Sequence, residues 1–297
     1  MSSLTDLEGK IALVTGGGTG VGLAIAKGFA ANGATVYIAG RRDEKLQEVH
    51  KEYANILPLR MDITKKEDID GAAKLIAQNH GKLHILVNNV GTTGPFYPLD
   101  KNVDYSSLGY ASSASTLDTN ISDVWSNSTL FRMYDPADWA KVYEVNIIAP
   151  FFTTMGFLDL LKAGAGTDTS SVINISSAAG TPNAKVMYCI PAYPASKAGL
   201  EKLTINLATE FALNEIPIRV NCIAMGVYPS ELTGDEESVN RRVSTAPLPG
   251  LINHTPLKRA AREKEVASTA VYLGSPMSGY TNGTTINTDG GLRLVNP

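Results

Sequence analysis

Short runs of β-branched and apolar residues alternate along the chain with longer stretches in which apolar residues recur at helical spacing. The runs are Ile11 to Thr15, Thr35 to Ala39, Ile56 to Arg60, Leu83 to Asn88, Ser171 to Ser176, Ile218 to Ile223 and Thr284 to Thr288. Between the third and fourth runs, Ile69, Ala72, Ala73 and Ile76 recur at i, i+3, i+4 and i+7, and Thr64 with Glu67 forms a capping-box pattern at the start of that helix. Strand and helix in alternation predict βαβ units on a parallel sheet. The expected product is an α/β fold, a doubly wound, seven-stranded parallel sheet with helices on both faces, its ligand crevice lying where strand order reverses. No linker, repeat or composition break interrupts the pattern, which predicts one domain over residues 1–297.

Two stretches depart from the rhythm. From about 92 to 134 the chain is rich in Ser, Thr, Tyr, Asn and Asp with scattered Trp125, Leu130 and Phe131. An insertion this long is a lid or binding loop beside the crevice, or a solvated surface loop. The region 228–256, with Leu232, Leu248, Leu251 and Ile252, reads as a flap over a substrate pocket.

Composition excludes more than it proposes. With 26 basic against 29 acidic side chains and a net charge of -3, nothing favours nucleic acid. Cys189 and Cys222 lie far apart without metal-ligand spacing, and His50, His80, His84 and His254 form no zinc motif. No apolar run approaches the length of a membrane span and no apolar leader opens the chain, so a cytoplasmic protein is expected. The sequons at Asn120, Asn127 and Asn253 then read as accidents of composition. A G-x-S-x-G elbow is absent, which disfavours serine-hydrolase chemistry.

Directly after the first strand stands Thr15-Gly16-Gly17-Gly18-Thr19-Gly20-Val21-Gly22, followed by a helix of small and apolar residues. Glycines let the backbone turn sharply and approach a pyrophosphate, whose charge is met by amide N–H groups and the helix N-terminus. Strand, glycine turn and helix together point to a Rossmann-like dinucleotide site. The second strand ends in Gly40-Arg41-Arg42, where a fold preferring NAD would offer an acid to the ribose 2′-hydroxyl. Guanidinium suits a 2′-phosphate instead, so NADP(H) is the expected cofactor. The bland alternative is that Arg41 and Arg42 solvate a helix start, balanced by Asp43 and Glu44.

The sharpest chemical pattern is Tyr193-Pro194-Ala195-Ser196-Lys197 at the opening of a long helix. Proline is tolerated in the first helical turn, and residues four apart share a face. The ammonium of Lys197 can therefore favour the phenolate of Tyr193 and bring a proton donor with an ordinary pKa of about 10 toward the working range. The strand before it ends in Ser176-Ser177-Ala178-Ala179-Gly180 and delivers a hydroxyl to the carboxyl edge of the sheet.

In these motifs the chain resembles the compact, non-extended branch of the short-chain dehydrogenase/reductase family over nearly its whole length, and is similar to its 3-oxoacyl-ACP-reductase-like ketoreductases. The pattern T-G-x-x-x-G-x-G is met by Thr15, Gly16, Gly20 and Gly22, and N-N-A-G by Asn88, Asn89, Val90 and Gly91. The resemblance implies a catalytic tetrad of Asn146, Ser177, Tyr193 and Lys197, with Ser177 rather than Ser176 because it stands three residues before Gly180. It implies that Asn146 holds a water in the proton relay to lysine.

For the cofactor it implies contacts from Gly16, Gly18, Thr19, Gly20, Val21 and Gly22, from Arg41 and Arg42, and from Asp62 with Ile63 on the adenine side. Asn89, Val90 and Gly91 would follow, then Tyr193 and Lys197 toward the nicotinamide ribose, and Gly226, Val227 and Ser230 over the nicotinamide. The segment from Arg219 and the stretch Thr288-Asp289-Gly290-Gly291 also match family signatures. The implied activity is NADPH-dependent reduction of a ketone, or the reverse oxidation of a secondary alcohol, on a medium-sized, partly hydrophobic substrate. A homo-oligomer, tetramer or dimer, is implied as well, with no nucleic-acid or membrane partner.

Three positions depart from the family pattern. Val90 replaces an alanine and Met225 a proline, both near the cofactor, and Ser177 and Tyr193 stand 16 positions apart, a few more than usual. The extra residues either line the substrate side, with Tyr188 as a candidate contact, or pad a loop. Two other functions compete: a dinucleotide-binding regulator without turnover, disfavoured because serine, tyrosine and lysine are all present, and an epimerase or dehydratase of the extended branch, disfavoured by the glycine spacing and the missing substrate domain.

Overall fold

The computed structural model describes residues 6–95, 131–132, 134–181, 190–231, 233–245 and 253–296. Seven parallel strands, β1 (Ile11–Thr15), β2 (Thr35–Gly40), β3 (Ile56–Arg60), β4 (Ile85–Asn88), β5 (Ser170–Ser177), β6 (Ile218–Met225) and β7 (Thr285–Thr288), form one sheet in the order β3-β2-β1-β4-β5-β6-β7. The order reverses between β1 and β4, which opens a crevice at their carboxyl ends.

Alternate residues of each strand feed two separate cores. Ala12, Val14, Val36, Ile38 and Ile85 face helices α1 (Gly20–Ala31), α2 (Asp43–Glu52) and α9 (Glu263–Gly274), through Ile25, Phe29, Leu46 and Val266. Ile11, Leu13, Tyr37, Leu86 and Val172 face the other side, where α3 (Lys66–His80), α5 (Ala149–Gly156), α6 (Leu158–Ala165) and α7 (Ala192–Leu213) supply Ile69, Ala149, Leu161 and Phe211. Because both faces are covered, the strands carry apolar residues at successive positions. Among the described residues the remaining α-helices are α4 (Pro136–Tyr143), α8 (Glu236–Thr245) and the short α10 (Leu292–Val295). A π-helical segment, Glu144–Ile148, joins α4 to α5.

The sheet also carries a buried polar chain. The Asn88 amide donates to Thr154 Oγ1 and Asn174 Oδ1, and the Asn174 amide donates to Thr204 Oγ1, linking α5, β4, β5 and α7.

Two sequence expectations are corrected. The capping box at Thr64 and Glu67 does not form: α3 starts after Lys65, and the Thr64 hydroxyl and amide both donate to Asp62 Oδ1, at 2.8 and 3.0 Å. A carboxylate two residues back is the better local acceptor, so threonine closes a turn rather than a helix. The fourth strand begins at Ile85 rather than Leu83, because the Leu83 amide bonds to Leu160 O outside the sheet. Most of the insertion at 92–134, including Trp125 and Leu130, lies outside the described residues, as do Tyr188, Cys189, Leu232, Leu248, Leu251 and Ile252. Among the described residues no single helix is long and apolar enough to cross a membrane.

Candidate active site

The glycine turn is shaped by what glycine lacks. Gly16 has φ +67°, and a Cβ there would stand 2.9 Å from Asn89 Nδ2 and 3.0 Å from Val90 Cγ2. On Gly22 a Cβ would stand 2.3 Å from Gly16 O, inside any allowed contact. The turn is therefore closed tightly on α1, whose N-terminus Thr19 caps without a side-chain bond, leaving the first-turn amide donors available for an anion. Asn89 fastens the turn from β4, its Nδ2 donating to Thr15 O at 2.8 Å while its amide donates to Thr15 Oγ1. These features fit a dinucleotide diphosphate, which Gly16, Gly18, Thr19, Gly20, Val21 and Gly22 could hold.

Val90, the first departure, packs its branched side chain into the space that Gly16 leaves empty. Met225, the second, is 5% exposed and pairs with Ser177 in the β5–β6 ladder. A proline there would lack the ladder donor, so methionine lengthens β6 by one paired residue.

On one bank of the crevice, β2 ends at Gly40 and is followed by the exposed Arg41 and Arg42. Arg42 meets Glu231 in a two-pronged pair, Nη1 to Oε1 at 3.1 Å and Nη2 to Oε2 at 2.7 Å. Asp62 and Ile63 follow β3. Burial works to raise the Asp62 carboxyl, but hydrogen bonds from Thr64 and the charge of Arg41 outweigh it and hold the group below its ordinary value. From the other end of the crevice, the Gly226 amide donates to Thr288 O, the Ala261 amide to Val227 O, and Ser230 lies so close that a Cβ on Gly20 would stand 3.1 Å from its own Cβ.

The proposed chemical centre is built on α7. Lys197 is 4% exposed, and its Nζ donates to Ile175 O at 2.8 Å and stands 5.7 Å from the centroid of the Tyr193 ring. Burial pulls the ammonium down to about 8, partly offset by the carboxylate of the neighbouring Glu201. Burial likewise pushes the Cys222 thiol up to about 12, so that cysteine stays protonated and chemically idle. A Cβ on Gly91 would meet Lys197 Nζ at 3.2 Å and Asn146 Oδ1 at 3.5 Å, so three sequence-predicted residues converge on one point.

Asn146 is fully buried within the π-helical segment, its side chain clasping the Thr92 backbone through Oδ1 and Nδ2 at 2.9 Å each. Nδ2 also donates to Ser196 Oγ, which donates in turn to Tyr193 O at 2.7 Å. A π turn leaves a main-chain carbonyl outside the regular ladder, as is frequent at functional positions. Ser177 ends β5, where its Oγ accepts from the Ala179 amide at 3.1 Å and keeps its own proton to donate.

Several residues here had no sequence signal. Arg293, on α10, donates to Ser177 O at 2.9 Å, Glu201 Oε1 at 2.8 Å and Asn287 Oδ1 at 2.7 Å. Ser176 donates to the same Glu201 oxygen. Thr93, Pro95, Trp139, Val142 and Ile190 line a mainly apolar cleft beside the start of α7. Glu231, Arg293 and Glu201 belong to no local motif; the Arg42–Glu231 pair spans 189 positions and the Arg293–Glu201 pair 92.

Comparison with known proteins agrees along the whole chain. A model described as short chain dehydrogenase matches residues 10–122, and one described as Enoyl-(Acyl carrier protein) reductase matches residues 121–293. The short-chain dehydrogenase/reductase PhomF of Diaporthe leptostromiformis is 33% identical, over 100% of this chain and 95% of that protein. Among solved structures, the Pseudomonas aeruginosa RhlG/NADP active-site complex superposes with a TM-score of 0.76 at 27% identity, over 99% of this chain and 100% of the other. A 7α-hydroxysteroid dehydrogenase complexed with NADH and 7-oxo glycochenodeoxycholic acid gives 0.73 at 26% identity, over 97% and 96%.

Proposed function

Since the chain belongs to the short-chain dehydrogenase/reductase family, an oxidoreductase family acting on alcohol and carbonyl groups with a nicotinamide cofactor, we propose that it reduces a ketone with NADPH, or oxidises the matching secondary alcohol with NADP. The observation that carries this reading is the buried Lys197 ammonium, anchored on Ile175 O, 5.7 Å from the Tyr193 ring. When bound, the cofactor supplies or accepts the hydride. The protein's part is to bind, orient and move a proton.

Tyr193 hands its phenolic proton to the substrate oxygen as the alcohol forms. Ser177 donates a hydrogen bond to that oxygen and offsets the charge that develops on it. Lys197 favours the phenolate left behind, and Asn146 holds the water through which the proton is replaced. Lys197 would also hold the nicotinamide ribose, Asp62 and Ile63 the adenine side, and Gly226, Val227 and Ser230 the nicotinamide end. Preference for NADP(H) rests on Gly40, Arg41 and Arg42, where no acid is offered to a ribose hydroxyl. Relatives differ on this point, one neighbour being an NADP complex and another an NADH complex.

The apolar side chains of Trp139, Val142 and Ile190 beside the start of α7 support a partly hydrophobic ketone. Exposed Ile148, Phe151, Phe152 and Ile205, on the π segment, α5 and α7, support a homo-oligomer. The residues at 228–256 act as the substrate flap in this reading. The test is consumption of NADPH and of NADH against a ketone panel, with Tyr193→Phe alongside. Wild-type turnover preferring NADPH is expected, and a loss of about 10²-fold or more in the variant, with dinucleotide binding retained. An active Tyr193→Phe enzyme refutes the assigned acid, and tight binding with no turnover on any ketone favours a regulator.

A further inference from the structure

The pair between Arg42 and Glu231 bridges the two banks of the crevice. Arg42 follows β2, and Glu231 belongs to the segment after β6, 189 positions later. Both carboxylate oxygens are engaged by the guanidinium, and the nearby Thr19 side chain in the glycine turn helps Arg42 hold the Glu231 carboxyl below its ordinary value. Its neighbour Ser230 rests against Gly20. A carboxylate thus occupies a place lined by an arginine, a hydroxyl and the end of a phosphate-binding turn, each a partner suited to an oxyanion.

We infer that Glu231 is a specificity-determining residue, an internal anion that competes with the cofactor 2′-phosphate for Arg42 and so sets the affinity for NADP(H). The inference rests on the assignment of Arg42 to that phosphate in the proposed function. A phosphate monoester offers more charge and more acceptor oxygens than a carboxylate, so it displaces Glu231. A ribose hydroxyl offers no charge and leaves the pair intact. The cost of opening the pair falls on the phosphorylated cofactor alone, which limits its affinity and favours its exchange between turnovers.

Both side chains are about half exposed, at 54% and 55%, so substitution leaves the core untouched. The test is calorimetric titration of the whole chain with 2′,5′-ADP and with 5′-AMP, for wild type, Glu231→Gln, Arg42→Ala and the double variant. An exposed two-pronged pair is worth up to about 1 kcal/mol, so Glu231→Gln is expected to bind 2′,5′-ADP about fivefold more tightly. Binding of 5′-AMP should change by less than about twofold, and the gain should vanish in the Arg42→Ala background. Unchanged or weaker binding of 2′,5′-ADP by Glu231→Gln overturns the inference, as does a gain that survives without Arg42. If Arg42→Ala alone binds 2′,5′-ADP as wild type does, the NADP(H) assignment fails at its base; if that variant weakens binding and Glu231→Gln changes nothing, only the role of Glu231 falls.

Discussion

Replacing Lys197 by methionine should make the protein more stable while abolishing its chemistry. The ammonium is 4% exposed, and burial has drawn its pKa from 10.5 to about 8. The folded pKa lies below the unfolded one, so the unfolded chain holds the proton more tightly between those values. Stability therefore rises with pH across that window, and below about pH 8 the full penalty of a buried charge is present. At about 1.4 kcal/mol per pKa unit the penalty is about 3 kcal/mol. Methionine matches the apolar stem of lysine but loses the charge-assisted hydrogen bond to Ile175 O, which returns about 2 kcal/mol. The net gain at pH 7 is about 1 kcal/mol, a rise in Tm of roughly 2 °C for a domain of this size. Differential scanning calorimetry at pH 7 and near pH 10 reads it directly, with the advantage shrinking at the higher pH. A variant that melts lower at pH 7, or one whose advantage is the same at both pH values, refutes the reasoning. Turnover should fall by about 10²-fold or more in the same variant.

Arg293→Ala, which strips Glu201 and Ser177 O of their guanidinium, should cost about 3 kcal/mol in urea unfolding and lower kcat more than it raises KM. Arg293→Lys should recover only part of either, because an ammonium cannot reproduce the planar fork. Gly22→Ala drives a methyl into Gly16 O and should abolish 2′,5′-ADP binding; wild-type affinity with an unchanged Tm would contradict the account of the turn. His84 Nδ1 accepts from the Ile11 amide, and burial first, then Lys10 and Lys82, pull the ring down to about 4. Its folded pKa lies below the unfolded value, so this contribution is whole above about pH 6.5 and is lost as pH falls toward 4. With solvent screening included, about 2 kcal/mol should disappear on acidification. His84→Asn, which keeps an acceptor in place, should flatten that loss in urea melts at pH 7, 5.5 and 4.

The sheet was legible because strands covered on both faces are largely apolar at successive positions, as Ile11 to Thr15 shows. The glycine turn and the Tyr193–Lys197 pair were legible because each acts over a few residues of one element. Thr64 misled for a related reason: spacing alone marked a helix start, but Asp62 was nearer and already charged. What sequence could not show are partners far apart in the chain. Nothing about Arg293 announces that it will reach Ser177 O, nor about Glu231 that it will meet Arg42. The π segment at Asn146 was hidden too, since an extra residue in a helical turn leaves no periodic trace in eight to ten residues of pattern.

The amide and hydroxyl chain through Asn88, Asn174, Thr154 and Thr204 has a meaning beyond the bonds themselves. Leucine-like side chains at those places would pack well in several alignments of β4 against β5. Amides do not tolerate that freedom: a one-residue slip would turn each into the hydrocarbon layer on the wrong side, with its donors stranded. The chain works as a key cut for a single lock position, excluding mis-registered sheets at some expense in binding strength, and it thereby fixes how far β5 carries its last serine toward the cofactor.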